Sequence, residues 1–134
     1  MALFTDRTTP EHGGQSFGYP VAAGAVIYQG ALVALNASGF VVPGSTATGL
    51  QAIGKALARV DNSTGADGDL LITFKRGVYS WDNHGTDTIT RAHVGGSAYI
   101  VDDHTVAATD GTGTRSVAGT IMDITDNGVF VETR

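Results

Sequence analysis

The chain has no cysteine, so neither disulfides nor cysteine-ligated metal sites are open to it. It is also short of charge. Lys, Arg, Asp and Glu together make up 16% of the residues, and the balance is acidic, at a formal −5. A nucleic-acid binder would carry a basic stripe, so that class is disfavoured. Only two glutamates occur, Glu11 and Glu132. A paired-carboxylate mechanism would have to draw on aspartates, most of which stand beside Gly or Asn, where turns are expected. No run approaches the roughly 18 consecutive apolar residues that a membrane-spanning helix needs. The opening residues, Met1 to Arg7, hold no long apolar stretch, so a secretory signal is not expected. Aromatics are few: five Phe, four Tyr and one Trp.

Glycine is what the chain has in excess. Nineteen glycines stand mostly singly between short apolar segments rather than in a low-complexity run. At 134 residues the length fits one domain with a modest core. A core built from so many small residues is thin, which makes burial of further surface by oligomerisation physically reasonable.

The second half echoes the first. Residues 24–35, GAVIYQGALVAL, align with 96–107, GSAYIVDDHTVA. Residues 52–62, AIGKALARVDN, align with 117–127, VAGTIMDITDN. Each half offers a small-aromatic-aliphatic strand, a loop, and a strand with one glycine near its start. Two similar hairpin units are expected, with Gly54 and Gly119 at equivalent places.

Residues 1–20 read differently from the rest. Pro10, Gly13 and Gly14 break a polar stretch with no period of 2 or 3.6. The segment is expected to be an extended N-terminal arm, followed by a single β-domain over 21–134. Phe4, Arg7, Phe17 and Tyr19 are the arm's candidate partner contacts, against the plainer alternative of a frayed terminus. From Ala25 onward short apolar and β-branched runs alternate with turn dipeptides at spacings of about ten residues, which predicts an all-β small barrel or sandwich. Residues 50–60 are ambiguous. Leu50, Ile53, Leu57 and Val60 fit a helical face, but Gly54 and the β-branched echo segment favour a strand. Asp67-Gly68 precedes a strand in which Leu70, Ile72 and Phe74 face one way and Leu71, Thr73 and Lys75 the other. Gly77 reads as a bulge or bend in it, after which Val78 to Trp81 resume. Thr88 to Thr90, Ala98 to Val101 and Thr105 to Ala107 are further expected strands. Residues 116–125 and 129–133, around Asn127-Gly128, form the clearest hairpin.

No catalytic constellation is legible. There is no G-x-S-x-G and no phosphate loop, since Gly54-Lys55 is followed by Ala56. His12, His84, His93 and His104 are scattered, and none has a second His at metal-ligand spacing. Asp102-Asp103-His104 is the best local donor cluster. If these residues lay on a strand they would alternate faces, so at most two would share an ion. Residues 61–69 resemble a calcium loop only superficially, lacking the D-x-[DN]-x-[DN]-G order and a closing Glu. No metal or cofactor is expected. Tyr79 and Trp81 alternate on one strand, as core residues or as a subunit interface, where Trp and Tyr are enriched.

Several segments together resemble the capsid decoration (cement) proteins of tailed phages, including those of Mu-like phages. They are Gly30 to Leu35 followed by Ala52 to Ala56; residues 61–69; Arg76-Gly77-Val78-Tyr79; residues 95–102; and Ala118-Gly119-Thr120-Ile121. The resemblance covers about residues 20–134 and consists of glycine and turn signatures rather than catalytic motifs. It implies a small β-rich virion protein, often a homotrimer, that is made in the host cytoplasm. Such a protein sits on the capsid exterior and clamps neighbouring major capsid subunits. It implies no enzyme activity and no cofactor. A glycan- or receptor-binding β-module of the virion is the alternative, which aromatics in loops would favour.

Overall fold

The computed structural model describes residues 16–134, together with Thr5 and Gly14. Twelve strands follow one another: β1 (Ser16–Pro20), β2 (Val26–Ile27), β3 (Leu32–Leu35), β4 (Val41–Pro43), β5 (Gln51–Ala56), β6 (Val60–Asp61), β7 (Leu71–Lys75), β8 (Gly77–Asn83), β9 (Ser97–Ile100), β10 (Thr105–Ala107), β11 (Val117–Thr125) and β12 (Gly128–Thr133). One 3₁₀ turn, Arg91–His93, precedes β9, and no α-helix occurs among the described residues. The protein is all-β, and the ambiguous segment 50–60 carries β5 and the start of β6 rather than a helix.

Ten of the strands form two five-stranded sheets on one plan. The N-terminal sheet runs β1-β7-β5-β3-β4; the C-terminal sheet runs β8-β12-β11-β9-β10 and closes into a barrel where β10 meets β8 in parallel. The N-terminal sheet is nearly closed in the same way by one parallel bridge, Val21 to Val41. The closing hydrogen bonds also correspond: Ala22 N–H to the Val41 carbonyl at 3.0 Å, and His84 N–H to the Val106 carbonyl at 3.0 Å. β2 and β6 pair with each other and have no counterpart in the second half.

The match reaches single residues. In β5, Val33 faces Gly54 and Ala34 faces Ala52, which leaves Ile53 as the extra residue of a bulge. In β11, Ala98 faces Gly119 and Tyr99 faces Val117, which leaves Ala118 extra. Both glycines have positive φ, 139° and 155°. A Cβ on Gly54 would strike the Lys75 carbonyl of β7, and one on Gly119 would strike the Glu132 carbonyl of β12. Only glycine combines that backbone with that approach. The 52–62 and 117–127 echo therefore falls on corresponding strands.

The other echo is displaced by seven residues. The ladders set Val33 against Ala98, whereas aligning 24–35 with 96–107 sets it against Thr105. That alignment matched composition along the chain, but hydrogen-bonded neighbours define the correspondence.

Each unit encloses its own apolar cluster. Val21, Ile27, Val33, Val41, Ile53, Ile72 and Phe74 fill the N-terminal one. Ile100, Val106, Ile121, Val129, Val131 and Trp81 lie in the C-terminal one, joined by Leu32, Ala34 and Ala52 from the outer face of the N-terminal sheet. Alternation along β3 makes this possible, because Val33 points into its own unit and Leu32 and Ala34 into the neighbour's core. Each fully buried Val, Leu, Ile or Phe contributes roughly 1.5–3 kcal/mol. Polar bonds knit the same junction. Ser116 Oγ donates to the Ala47 carbonyl at 2.7 Å and accepts from Leu50 N–H at 3.1 Å; Leu32 N–H donates to the Asp103 carbonyl at 2.7 Å.

Three local expectations are corrected. Residues 16–20, expected to extend with the arm, form β1 and pair antiparallel with β7 from Ser16–Lys75 to Pro20–Leu71. Gly77 is not a bulge within one strand, because β7 and β8 belong to different sheets and Arg76 alone links them. Thr88 to Thr90 are not a strand. Asn83 ties the segment into a loop, its Nδ2 donating to the Ile89 carbonyl and its Oδ1 accepting from Ile89 N–H, each at 2.9 Å.

Candidate functional site

Phe4 and Arg7 lie outside the described residues. Phe17 and Tyr19 sit on β1, half-buried, with ring centroids 5.9 and 4.7 Å from Phe74. The Arg76 guanidinium lies 5.2 Å from the centroid of the Phe17 ring. Trp81 is buried, and the half-buried Tyr79 stands edge-on to it at 6.3 Å. Lys55 Nζ lies 4.7 Å from the centroid of the Tyr79 ring, and burial pushes the Tyr79 phenol's pKa up. The indole N–H of Trp81 is sealed from solvent and has no hydrogen-bond partner among the described residues. The four aromatics are not brought together. They occupy corresponding places in the two units: Phe17 and Tyr19 face Phe74 and Ile72, as Tyr79 and Trp81 face Val131 and Val129. Their ring contacts are those of core residues.

The donor cluster at residues 102–104 is in a turn between β9 and β10, not on a strand, so the alternation argument does not apply. One donor atom from each of Asp102, Asp103 and His104 lies within 4.8 Å of the others. The imidazole accounts for the convergence. His104 Nδ1 is 2.9 Å from an Asp103 oxygen and 3.1 Å from an Asp102 oxygen. The hydrogen bond to Asp103, with the charges of Asp102, Asp103 and Asp82, raises the His104 pKa against desolvation. The calcium-like loop uses its carboxylates on backbone instead. Asp61 accepts from Ser63 N–H at 3.0 Å, Asp67 from Ala23 N–H at 2.7 Å, and Asp69 from Ala66 N–H at 2.8 Å.

Compared with known protein families, with curated proteins and with solved structures, the chain finds no match in any of the three.

The features that stand out on the surface belong to no sequence motif. Large aliphatic side chains point outward from the strands: Leu71 is 66% exposed, and Val117 and Met122 each 47%. Leu57, also exposed, extends β5 beside β7, donating its N–H to the Thr73 carbonyl at 2.9 Å. It thus shares the outward face with Leu71. Lys55 and Lys75 stand directly opposite each other on β5 and β7. The period-2 pattern did carry a signal for Leu71, a large apolar residue on the face opposite Ile72 and Phe74. The lysine pairing was invisible because strand register is a tertiary property.

Proposed function

We propose that this protein is a structural component of a tailed-phage virion. It decorates the outside of the capsid and stabilises the shell by clamping neighbouring major capsid subunits, as a homotrimer on the lattice. The observation that carries the reading is the set of exposed apolar side chains, Leu57 and Leu71 on one unit and Val117 and Met122 on the other. Exposed apolar groups on two rigidly joined units suit a protein that spreads contact area over a shell. The segments that resemble decoration proteins also fall on the paired strands and their turns. The glycan-binding alternative wants exposed rings, and here Trp81 is only 5% exposed and Phe17, Tyr19 and Tyr79 pack on core residues.

The test is reconstitution. Shells assembled from the major capsid protein of the phage that, on this reading, encodes the chain are mixed with the purified protein. Electron cryomicroscopy is expected to show density at regular exterior lattice positions, and the decorated shells are expected to survive heat longer than bare ones. Shells that take up no protein, or are no more heat-resistant with it, overturn the reading.

A further inference from the structure

The two units share a plan but not a charge. Residues 16–76 carry four Lys and Arg against three Asp, a formal +1; residues 77–134 carry three Arg against eight Asp and Glu, a formal −5. The difference concentrates at corresponding positions. Lys55 faces Lys75 in the N-terminal unit where Thr120 faces Glu132 in the C-terminal barrel. Like charges directly opposite one another destabilise a sheet. The barrel manages without lysine at both places, while in the N-terminal unit the half-buried Lys55 rests its ammonium 4.7 Å from the Tyr79 ring centroid. Neither lysine has a carboxylate within ion-pair reach among the described residues, although the chain is rich in aspartate.

The complementary change lies in the barrel. Asp102 and Asp103 occupy the β9–β10 turn, and Asp82 lies beside it on β8, its N–H donating to the His104 carbonyl at 2.7 Å. The turns match through Asn36 N–H to the Phe40 carbonyl at 2.9 Å and Val101 N–H to the Thr105 carbonyl at 3.0 Å. Ala37 and Ser38 therefore hold the places of Asp102 and Asp103. The closing strands place Pro20 where the barrel has Asp82. One unit has gained two cations and the other three anions, and no ion pair joins the two groups among the described residues.

The geometry points to a head-to-tail contact between copies of this chain, in which the Lys55–Lys75 face of one docks on the Asp82, Asp102 and Asp103 group of the next. Charge complementarity favours a second copy over a nucleic acid, which the acidic chain as a whole repels. The contact is heterologous, so each copy keeps one unfilled surface of each kind until a ring closes. It stands whether or not the protein decorates capsids, because it is read on the protein alone.

Sedimentation at low ionic strength tests it. The parent protein is expected to associate, and to dissociate at about 1 M salt, where screening acts within about 3 Å. A Lys55→Glu/Lys75→Glu variant and an Asp82→Lys/Asp103→Lys variant are each expected to be monomeric. Mixed, they are expected to associate at 1:1 stoichiometry, since the acidic group of one meets the lysine face of the other and the reversed charges meet at the second contact. Association also shows that both variants are folded. Asp82→Lys alone, which leaves the turn intact, is expected to weaken association on the order of tenfold. A parent protein that stays monomeric, variants that associate like the parent, or folded variants that remain monomeric on mixing overturn the contact.

Discussion

The N-terminal unit and the C-terminal barrel solve one folding problem twice, with different means at their edges. Both rest on a bulged central strand whose glycine admits a neighbouring carbonyl. They differ in how that frame is finished. The N-terminal unit is closed by a single bridge and carries the β2–β6 pair and a long loop between β6 and β7. The barrel is closed by a paired strand, and its β11 and β12 meet across Asp126 and Asn127 alone. The shared plan thus resides in backbone geometry, while side chains in the loops set each unit apart.

The most severe way to break the comparison is at the bulges. Gly54→Ala and Gly119→Ala each place a Cβ on a carbonyl at a backbone angle only glycine tolerates. Each is expected to destabilise by about 3 kcal/mol or more, measured by denaturant unfolding. Equal losses sustain the equivalence. A fully tolerated alanine at one site with a severe loss at the other would show that the two bulges are different structures.

Next comes the long loop. Asn62 is 2% exposed, and its Nδ2 donates to the carbonyls of Ala22 at 2.9 Å and Ala66 at 3.0 Å. Asn62→Ala removes both side-chain bonds, although the Ala22 and Ala66 carbonyls keep the N–H groups of Ala25 and Asp69, for a loss of about 1–2 kcal/mol. The exposed Asn127 in the barrel's short turn is expected to tolerate alanine within about 0.5 kcal/mol. Similar losses at both would mean that the long loop needs no such internal clamp.

These contrasts also show what the sequence made legible. Gly54 and Gly119 could be matched because each bulge is a local event, a lone glycine within a strand. β1 was hidden because Gly18 and Pro20 dilute five residues that are strand only through pairing with β7. The passage from one unit to the other at Arg76 was hidden because alternation continues through Leu71 to Asn83, and a change of sheet alters partners rather than pattern. The loop at Thr88 to Thr90 has β-branched residues, but side-chain bonds from Asn83 outweigh their strand preference. At the surface, outward Leu71 was readable from period 2. The Lys55–Lys75 juxtaposition needed the register.

A smaller effect separates the units in acid. Arg115 and Asp87, with side chains 14% and 25% exposed, pair at 2.8 Å and hold the 108–116 loop of the barrel. The Thr109 hydroxyl, and then Arg115, hold the Asp87 carboxyl below its usual range against desolvation. The folded pKa is depressed, so this stabilisation is present above the unfolded value near 3.9 and is lost as pH falls through the folded value. The corresponding 44–50 loop of the N-terminal unit has no charged residue. Acid is therefore expected to loosen the barrel first, seen as earlier loss of amide-exchange protection in β10 and β11 than in β4 and β5. Arg115→Ala is expected to cost about 1–2 kcal/mol at neutral pH and to remove much of that order of loss. Earlier loss of protection in β4 and β5 would reverse the comparison.

The smallest effect has the opposite sign. Gly39 stands in the N-terminal turn where His104 stands in the barrel. The imidazole faces Asp102, Asp103 and Asp82, and its pKa is raised, chiefly by the hydrogen bond to Asp103. A raised folded pKa gives stability that is fully present below the unfolded value near 6.5 and is lost as pH climbs through the folded one. The side chain is 63% exposed, so solvent screening holds the contribution to a few tenths of a kcal/mol. His104→Gln is expected to abolish that slope between neutral and mildly alkaline pH while leaving the acid limb set by Asp87 unchanged. The same deprotonation strips a positive charge from the acidic group, so the head-to-tail contact is expected to tighten over the pH range in which the fold slightly weakens. Nuclear magnetic resonance of the His104 ring, followed with sedimentation on one sample, reads both. A ring that titrates at or below the ordinary histidine value would remove the basis for either trend.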